Sequence, residues 1–538
     1  MAATRSAWGA WAAWLALAAW MVARAGASGA SIARLGLTGG GLTFLVIDLS
    51  WLWLAVALLL FRRWPPSPRS ASLGVLALAT WLAAQCFTQA ALRYYLGEAR
   101  AWDLANYVQP LWRAAHGLSM TSATYDDRPV WGDHGAVAML AFAPFTRLAD
   151  DAATGMFVAQ ALVTGGAVIA AHRVGRALGL PEEVSLAGAC VLASSRALVS
   201  AARFDFHPEC AFVVLLLALA AAQLRGRNAL GLGLTLASAL LRDVAAMTVA
   251  MFWLATLVRP APKTPRRIAA MGFLLAAGIA CVDVVLIPRL TGWTSYVAMH
   301  GSTPVDLTLA VKTTLLRGLS TFGIGWLHPA TWVVGAPWIA AAAVSPKLIV
   351  KGIDFQYGFL FVPVALLGAL YALAWLHARR PGALGRVAAA WAALAVSVNA
   401  PLPEAVTRLP VAAREHQAVR ASLAAELPGG AAVVADACAA PYVMERASLR
   451  VLCRLDTERL RTRGEERWEA PVSIPPEATH LVVRPGCAAS GPCAVAQVRH
   501  ARHVLGFERP RQAGPYVVLR RAVRAVRAVP EAVGAVQP

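Results

Sequence analysis

Three short polar runs stand out in an otherwise apolar chain. The run Arg203-Phe204-Asp205-Phe206-His207-Pro208-Glu209 puts Asp205, His207 and Glu209 between two apolar stretches. Ionisable groups there are costly unless they face water or a partner. Asp-x-His-x-Glu offers metal ligands, substrate contacts or an inter-loop salt bridge. One short run rarely completes a metal site, so no metal and no other cofactor is expected. Arg242-Asp243 interrupts the apolar stretch Ala229–Val258 as a pair able to neutralise itself or to meet a substrate. The third run is Trp102-Asp103-Leu104-Ala105-Asn106-Tyr107-Val108-Gln109-Pro110-Leu111-Trp112, followed by Tyr125-Asp126-Asp127-Arg128 and Asp133-His134. Leu104, Tyr107, Val108 and Leu111 share one helical face, which suits a helix lying on a membrane surface. Asp103 either caps that helix or is a carboxylate held just above the bilayer.

The elements that must position these residues belong to a membrane protein. Of 538 residues, 58% are hydrophobic and 14% charged, against roughly a quarter charged in soluble domains. The 49 Lys and Arg outnumber the 29 acids, giving a formal charge of +20. These bases are scattered between apolar runs rather than clustered, so no nucleic-acid partner is expected; they suit membrane orientation and anionic lipid. Runs near the roughly 20 residues that cross a bilayer are Trp8–Ala23, Gly41–Phe61, Ser72–Leu92, Met156–Ala171, Val184–Ala202, Cys210–Leu224, Ile268–Ile287, Phe355–Leu376 and Val387–Ala400. Ala229–Val258 reads as two short helices meeting at Arg242-Asp243. Phe322–Val344 reads as two short or re-entrant pieces broken by His328-Pro329 and Pro337.

The Arg-rich loops at 61–70, 173–183, 225–228, 259–267 and 377–386 mark the cytoplasmic side. That parity gives about 13 transmembrane helices if Gly135–Leu148 dips into the membrane without crossing. It puts the N-terminus in the cytoplasm and the tail outside. Trp8–Ala27 reads as an uncleaved anchor, with a signal peptide as the alternative.

Composition changes after Ala400. Residues 401–538 hold 19 Arg and 13 acids and no apolar run near spanning length. Arg414–Leu427 has helical spacing, and Ala431–Ala435, Arg450–Cys453, His480–Arg484 and Tyr516–Arg520 are short β-prone runs. The expected organisation is a two-helix membrane extension over 1–71, a transmembrane core over 72–400, an extracytoplasmic α/β domain over 401–522 and a basic tail over 523–538. An oxidising compartment permits disulfides among Cys438, Cys453, Cys487 and Cys493. Cys487–Cys493 encloses a short turn and is the expected pair, leaving Cys438 with Cys453. Cys86, Cys190, Cys210 and Cys281 read as small buried hydrophobes.

Asp103 in its Trp-Asp-Leu-Ala-Asn-Tyr-Val-Gln-Pro-Leu-Trp run, Phe204–Glu209, Arg242-Asp243, Pro346 and Phe355-Gln356-Tyr357 resemble, in the same order, a bacterial family of predicted integral membrane proteins of unassigned function, a DUF family placed in the GT-C glycosyltransferase clan. Leu427-Pro428, Ala431 to Asp436 and His480–Val483 are similar to that family's C-terminal domain, so the resemblance covers roughly residues 72–522. It implies a polytopic α-helical, GT-C-like membrane protein with a small C-terminal extracytoplasmic α/β domain, in the inner (plasma) membrane. It also implies sugar transfer from a polyprenyl-phosphate donor at the outer face, with Asp103 as the catalytic carboxylate and Asp205 on a second acidic loop. The family has an acid where this chain has Arg242, and often His where it has Gln356; these differences point to altered substrate choice or lost activity.

On this reading Asp103 is the general base and Asp205, His207 and Glu209 position the acceptor. Arg203 and Arg242 bind the lipid phosphate, a guanidinium matching phosphate oxygens in pairs; Asp243 and Tyr357 complete the substrate contacts. The expected partners are a polyprenyl-phosphate-linked sugar and membrane lipids. The alternative is a non-enzymatic carrier or binding protein for a lipid-linked saccharide. A secondary transporter would require internal repeats, and none is found.

Overall fold

The computed structural model describes residues 12–17, 54–63, 67–125, 127–291, 308, 323–344, 357–398, 405–454, 470–471, 474–485, 487 and 491–522. Within helices and strands, some side chains, including that of Asp103, lie outside the description. Five helical segments among these residues are long and apolar enough to cross a membrane: Pro68–Tyr95, Ala152–Ala177, Glu182–Arg203, Arg266–Thr291 and Gly358–Arg379. Of the expected N-terminal extension, only 12–17 and 54–63 are described, both helical.

Small residues let the apolar helices approach closely, since lipid supplies little hydrophobic drive between them. At Gly165 a Cβ would stand 2.6 Å from the Ala79 carbonyl oxygen, so a larger residue there would push the Ala152–Ala177 helix off Pro68–Tyr95. The expected two helices meeting at Arg242-Asp243 are Asn228–Ala239 and Asp243–Val258.

The expected Val184–Ala202 crossing lies within the span Glu182–Arg203, interrupted where Ser195 accepts the Leu198 N–H and starts a new N-terminus. Two readings of the membrane part need correction. Pro337 does not break its helix, which runs unbroken over Pro329–Val344 after a 3-10 turn at Ile324–Leu327; the break falls at His328 alone. Cys281 is exposed, whereas Cys86, Cys190 and Cys210 are buried as expected. The Gly135–Leu148 stretch forms an extended 3-10 run over Val137–Arg147 with Pro144 inside it.

The tail helix Ala405–Glu426 starts nine positions earlier than its apolar spacing suggests. Behind it lies a five-stranded mixed sheet ordered Leu449–Val451, Val433–Ala435, His480–Val483, Tyr516–Arg521 and Phe507–Ala513. The first three strands are parallel and the last two antiparallel. The strand Phe507–Ala513 and the helix Gly491–His503 are missed by the sequence reading. The strand is Glu-Arg-Pro-Arg-rich, the helix carries its polar and basic residues in its second half, and neither shows a clear apolar period.

All four tail cysteines are oxidised, but the expected pairing is wrong: the bonds are Cys438–Cys487 and Cys453–Cys493. Four cysteines permit three connectivities, and sequence spacing does not choose among them. Here the sheet chooses. Parallel pairing of Val433–Ala435 with His480–Val483 brings the loops after both strands to the same edge, where Cys438 meets Cys487. Peptide mapping of unreduced protein should recover these two linked peptides; a Cys487–Cys493 link would contradict this pairing.

The tail domain sits against one end of the helical bundle. Tyr442 Oη donates to the Tyr94 carbonyl at 2.9 Å, and Arg420 pairs with Glu445 at 3.1 Å while Glu445 accepts the Ala152 N–H at 2.9 Å. Arg450 reaches Asp127 of the first long loop at 2.7 Å.

Candidate functional site

The segment after the Pro68–Tyr95 helix turns at Gly97 and enters a π-helical turn, Ala101–Ala105, that continues as the helix Asn106–Ala115. Asp103 is the third residue of that π turn. Arg100, without a side-chain cap, occupies the N-terminal boundary, so the backbone removes the capping role for Asp103. Single π turns recur where a helix is distorted for function. Leu104, Tyr107, Val108 and Leu111, expected on one face, are all buried.

Buried amides pin this helix. Asn106 Oδ1 accepts from Ser122 Oγ at 2.7 Å and Thr124 Oγ1 at 2.8 Å, and Gln109 Oε1 accepts the Ala123 N–H at 3.0 Å. The sequence reading passed over both residues, although an amide on an apolar face must find partners.

The Phe204–Glu209 loop packs against the same segment. It is held from below by Gln160, whose Nε2 donates to the Ala202 carbonyl and whose Oε1 accepts the His207 N–H, both at 3.1 Å. A lone amide inside the apolar run Met156–Ala171 was the available signal for this clamp. The His207 ring stands edge-on to Tyr107, centroids 5.1 Å apart. At the other end of the loop, the Arg100 backbone N–H faces the Asp205 carboxylate. Contacts at Arg100 and Tyr107 therefore bracket Asp103 between two points on the loop, although the Asp103 side chain itself lies outside the described residues.

Asp205 is the least comfortable residue in the assembly. It is fully buried, its φ of +123° lies in a region that side chains avoid, and among the described residues neither carboxylate oxygen has a hydrogen bond of ordinary length. Its nearest cation is Arg93 Nη2 at 3.8 Å. Such a backbone costs about 1–3 kcal/mol and persists only where its surroundings fix it. Burial pushes the carboxyl up to about 7, with Arg93 and the Arg100 N–H opposing.

The sign of the pH effect follows. The folded chain keeps a proton that the unfolded chain releases near 3.8, so folding becomes less favourable as pH rises from about 4 to about 7, and no further above that. The full difference is on the order of 4 kcal/mol. Asp205→Asn should therefore raise the thermal midpoint more at pH 8 than at pH 5. An equal change at both would mean that Asp205 stays ionised.

Glu209, Arg242, Asp243 and Tyr357 converge where the Phe204–Glu209 loop ends. The Arg242 guanidinium is hydrogen-bonded to Glu209 Oε1 and lies 3.7 Å from Asp243 Oδ1, and its carbon stands 5.8 Å from the Tyr357 ring centre. His207 Nδ1 is 3.6 Å from Glu209 Oε2. Burial opposes ionisation of Glu209, but Arg242 and His207 outweigh it and hold the carboxyl well below the usual range. Arg242 is thus engaged by protein carboxylates and nearly inaccessible, whereas Arg203 is exposed at the edge of the cluster. Asp283, in the π turn Val282–Leu286, is another buried acid that the sequence reading did not single out.

The arrangement joins a fixed buried ion network to a strained carboxylate beside the helix that bears Asp103. In the tail, Asp436, Cys438 and Cys487 stand close enough to share a metal, but the two cysteines are joined to each other in one disulfide. The profile of the predicted membrane protein family DUF2079 matches residues 93–465, and the chain belongs to that family. The match begins at Arg93 and contains every candidate residue of the bundle. No curated protein matches the chain.

Proposed function

We propose that this chain is a GT-C-like glycosyltransferase of the inner membrane, with about 13 crossings by the positive-inside parity, moving a sugar from a polyprenyl-phosphate donor to an acceptor hydroxyl at the outer face. The acceptor oxygen attacks the anomeric carbon, the bond from that carbon to the phosphate oxygen breaks, and the hydroxyl proton passes to the Asp103 carboxylate. The lipid phosphate leaves as an anion that guanidinium groups can stabilise. Asp205, His207 and Glu209 orient the acceptor, and the Arg242, Asp243 and Tyr357 cluster forms the wall behind them.

The observation that carries this reading is Asp205: buried, backbone-strained and met only loosely by the Arg100 N–H and Arg93, it flanks the π turn holding Asp103 at one end of an apolar bundle. Strain and a displaced pKa together favour function over packing.

The closed Glu209–Arg242 network favours the second reading, a non-enzymatic binding or carrier protein for a lipid-linked saccharide, because a buried ion pair serves structure equally well. Full-length protein in proteoliposomes, supplied with polyprenyl-phosphate-linked hexoses and a membrane extract as acceptor, separates the two. Label appearing on acceptor supports transfer. Saturable donor binding without turnover supports the carrier.

A further inference from the structure

A cluster of arginines gathers where the tail domain meets the bundle, with Glu98, Asp205 and Asp436 around it. Arg100 Nη1 and Arg484 Nη1 both donate to the Gly97 carbonyl oxygen, at 3.3 and 2.5 Å. Two guanidinium groups therefore approach one oxygen, one from the first long loop and one from the tail sheet. Gly97 makes this possible: its φ is +72°, and a Cβ there would stand 2.7 Å from Arg484 Nη1. Arg93, one turn earlier, is the third member. It lies 5.0 Å from the Phe204 ring centre, donates to the Arg203 carbonyl at 3.3 Å, and reaches toward Asp205.

Like charges at this spacing repel, and Arg100 records it. Burial first, then Arg93 and Arg484, hold its guanidinium below its ordinary value, with Asp205 and Glu98 opposing. Asp205 compensates weakly, because burial itself favours its neutral form. Arg93, Arg100 and Arg484 are each only partly buried, so unused donors of their guanidinium forks remain within reach of a ligand. Exposed Arg203 lies alongside. The turn follows a helix of spanning length and carries exposed Leu96, which sets the cluster at the boundary between apolar and aqueous surroundings. A tetrahedral anion with several acceptor oxygens is the group that satisfies converging guanidiniums.

We propose that Arg93, Arg100 and Arg484 form a cradle for a phosphate group carried on a lipid, completed only when the tail domain is docked. This deepens the reading above and rests on it for the identity of the lipid; it transfers the phosphate-binding role from Arg242, which Glu209 occupies and which is buried, to three partly buried arginines whose ion pairing is looser, as in the 3.8 Å approach of Arg93 to Asp205.

The test uses the full chain in detergent micelles and native mass spectrometry with three probes: a long-chain polyprenyl phosphate, phosphatidylglycerol and inorganic phosphate. Each of Arg93→Gln, Arg100→Gln and Arg484→Gln should weaken polyprenyl phosphate binding by about tenfold or more. Arg484→Lys should lose less. Arg93→Gln, within a bundle helix, keeps the test valid if Arg484→Gln disturbs docking. Displacement by inorganic phosphate at equal concentration supports the anion site and assigns it to free phosphate. Equal retention of phosphatidylglycerol assigns it to bulk lipid. Wild-type affinity in all three Gln variants, or no binding of any probe by wild type, overturns the cradle. Binding lost in the variants while no sugar transfer is ever found leaves the cradle standing and removes the glycosyltransferase reading instead.

Discussion

Asp103→Asn should lower sugar transfer by about 10²–10⁴-fold, the range that a positioned general base contributes, while donor binding stays near wild type. The substitution keeps the shape of the side chain and removes its ability to accept the proton. It sits in the third position of a π turn whose flanks are fixed independently: Ala101 N–H donates to the Ala437 carbonyl at 2.9 Å, and Asn106 is held by Ser122 and Thr124. The local backbone should therefore survive, and the loss should fall on turnover rather than on affinity. Turnover within tenfold of wild type would remove Asp103 as the base and leave Asp205 as the carboxylate to examine.

The second large effect is on stability. Arg242→Met should leave Glu209 as a buried carboxylate without its counter-charge, and Glu209→Met should strand Arg242. Breaking one side of a buried pair costs about 3–5 kcal/mol. The pair links the start of the helix Cys210–Leu224 to the junction between Asn228–Ala239 and Asp243–Val258, so the loss would loosen three helices at once. The double substitution should recover much of the loss, because two apolar side chains need no compensation. Denaturation midpoints in micelles for both single variants and the double variant form the necessary cycle. Single variants as stable as wild type would mean that water reaches the pair.

The two halves of the cluster differ in how far the sequence discloses them. The break at Arg242-Asp243 is legible because an ion pair in the middle of an apolar stretch cannot be left inside a continuous membrane helix without partners. The four strands 433–435, 449–451, 480–483 and 516–521 are legible from β-branched runs between turn residues. The break at Ser194-Ser195 is less so, since serine is tolerated inside apolar helices and only its capping hydrogen bond reveals the new start.

The site shows the same division. Asp205, His207 and Glu209 are visible as charges in an apolar setting, but their separate fates are not. Asp205 sits on a turn at φ +123° with only loose contacts from Arg93 and the Arg100 N–H, while Glu209 meets Arg242 because two loops distant in sequence adjoin. Arg93 reads as the end of a crossing, Arg100 as a loop charge and Arg484 as the end of a strand. Only the docking of the tail brings Arg484 to the Gly97 carbonyl that Arg100 also meets, and no local pattern encodes a docking. The cysteine pairing fails for the same reason, since strand order rather than spacing decides it.

The hydrogen bond from Ala101 to Ala437 has a consequence for the order in which the protein matures. A ribosome delivers the N-terminal helices first, and the bundle can insert while the tail is still unmade. The π turn carrying Asp103 then lacks one seat, the Ala437 carbonyl that takes the Ala101 N–H. The seat arrives with the last quarter of the chain, after the sheet has formed and Cys438 has found Cys487 beside Asp436, whose side chain accepts the N–H groups of Cys438, Ala439 and Arg484. A half-built chain therefore holds the Asp103 turn by its bundle contacts alone, and the tail adds the Ala437 anchor last.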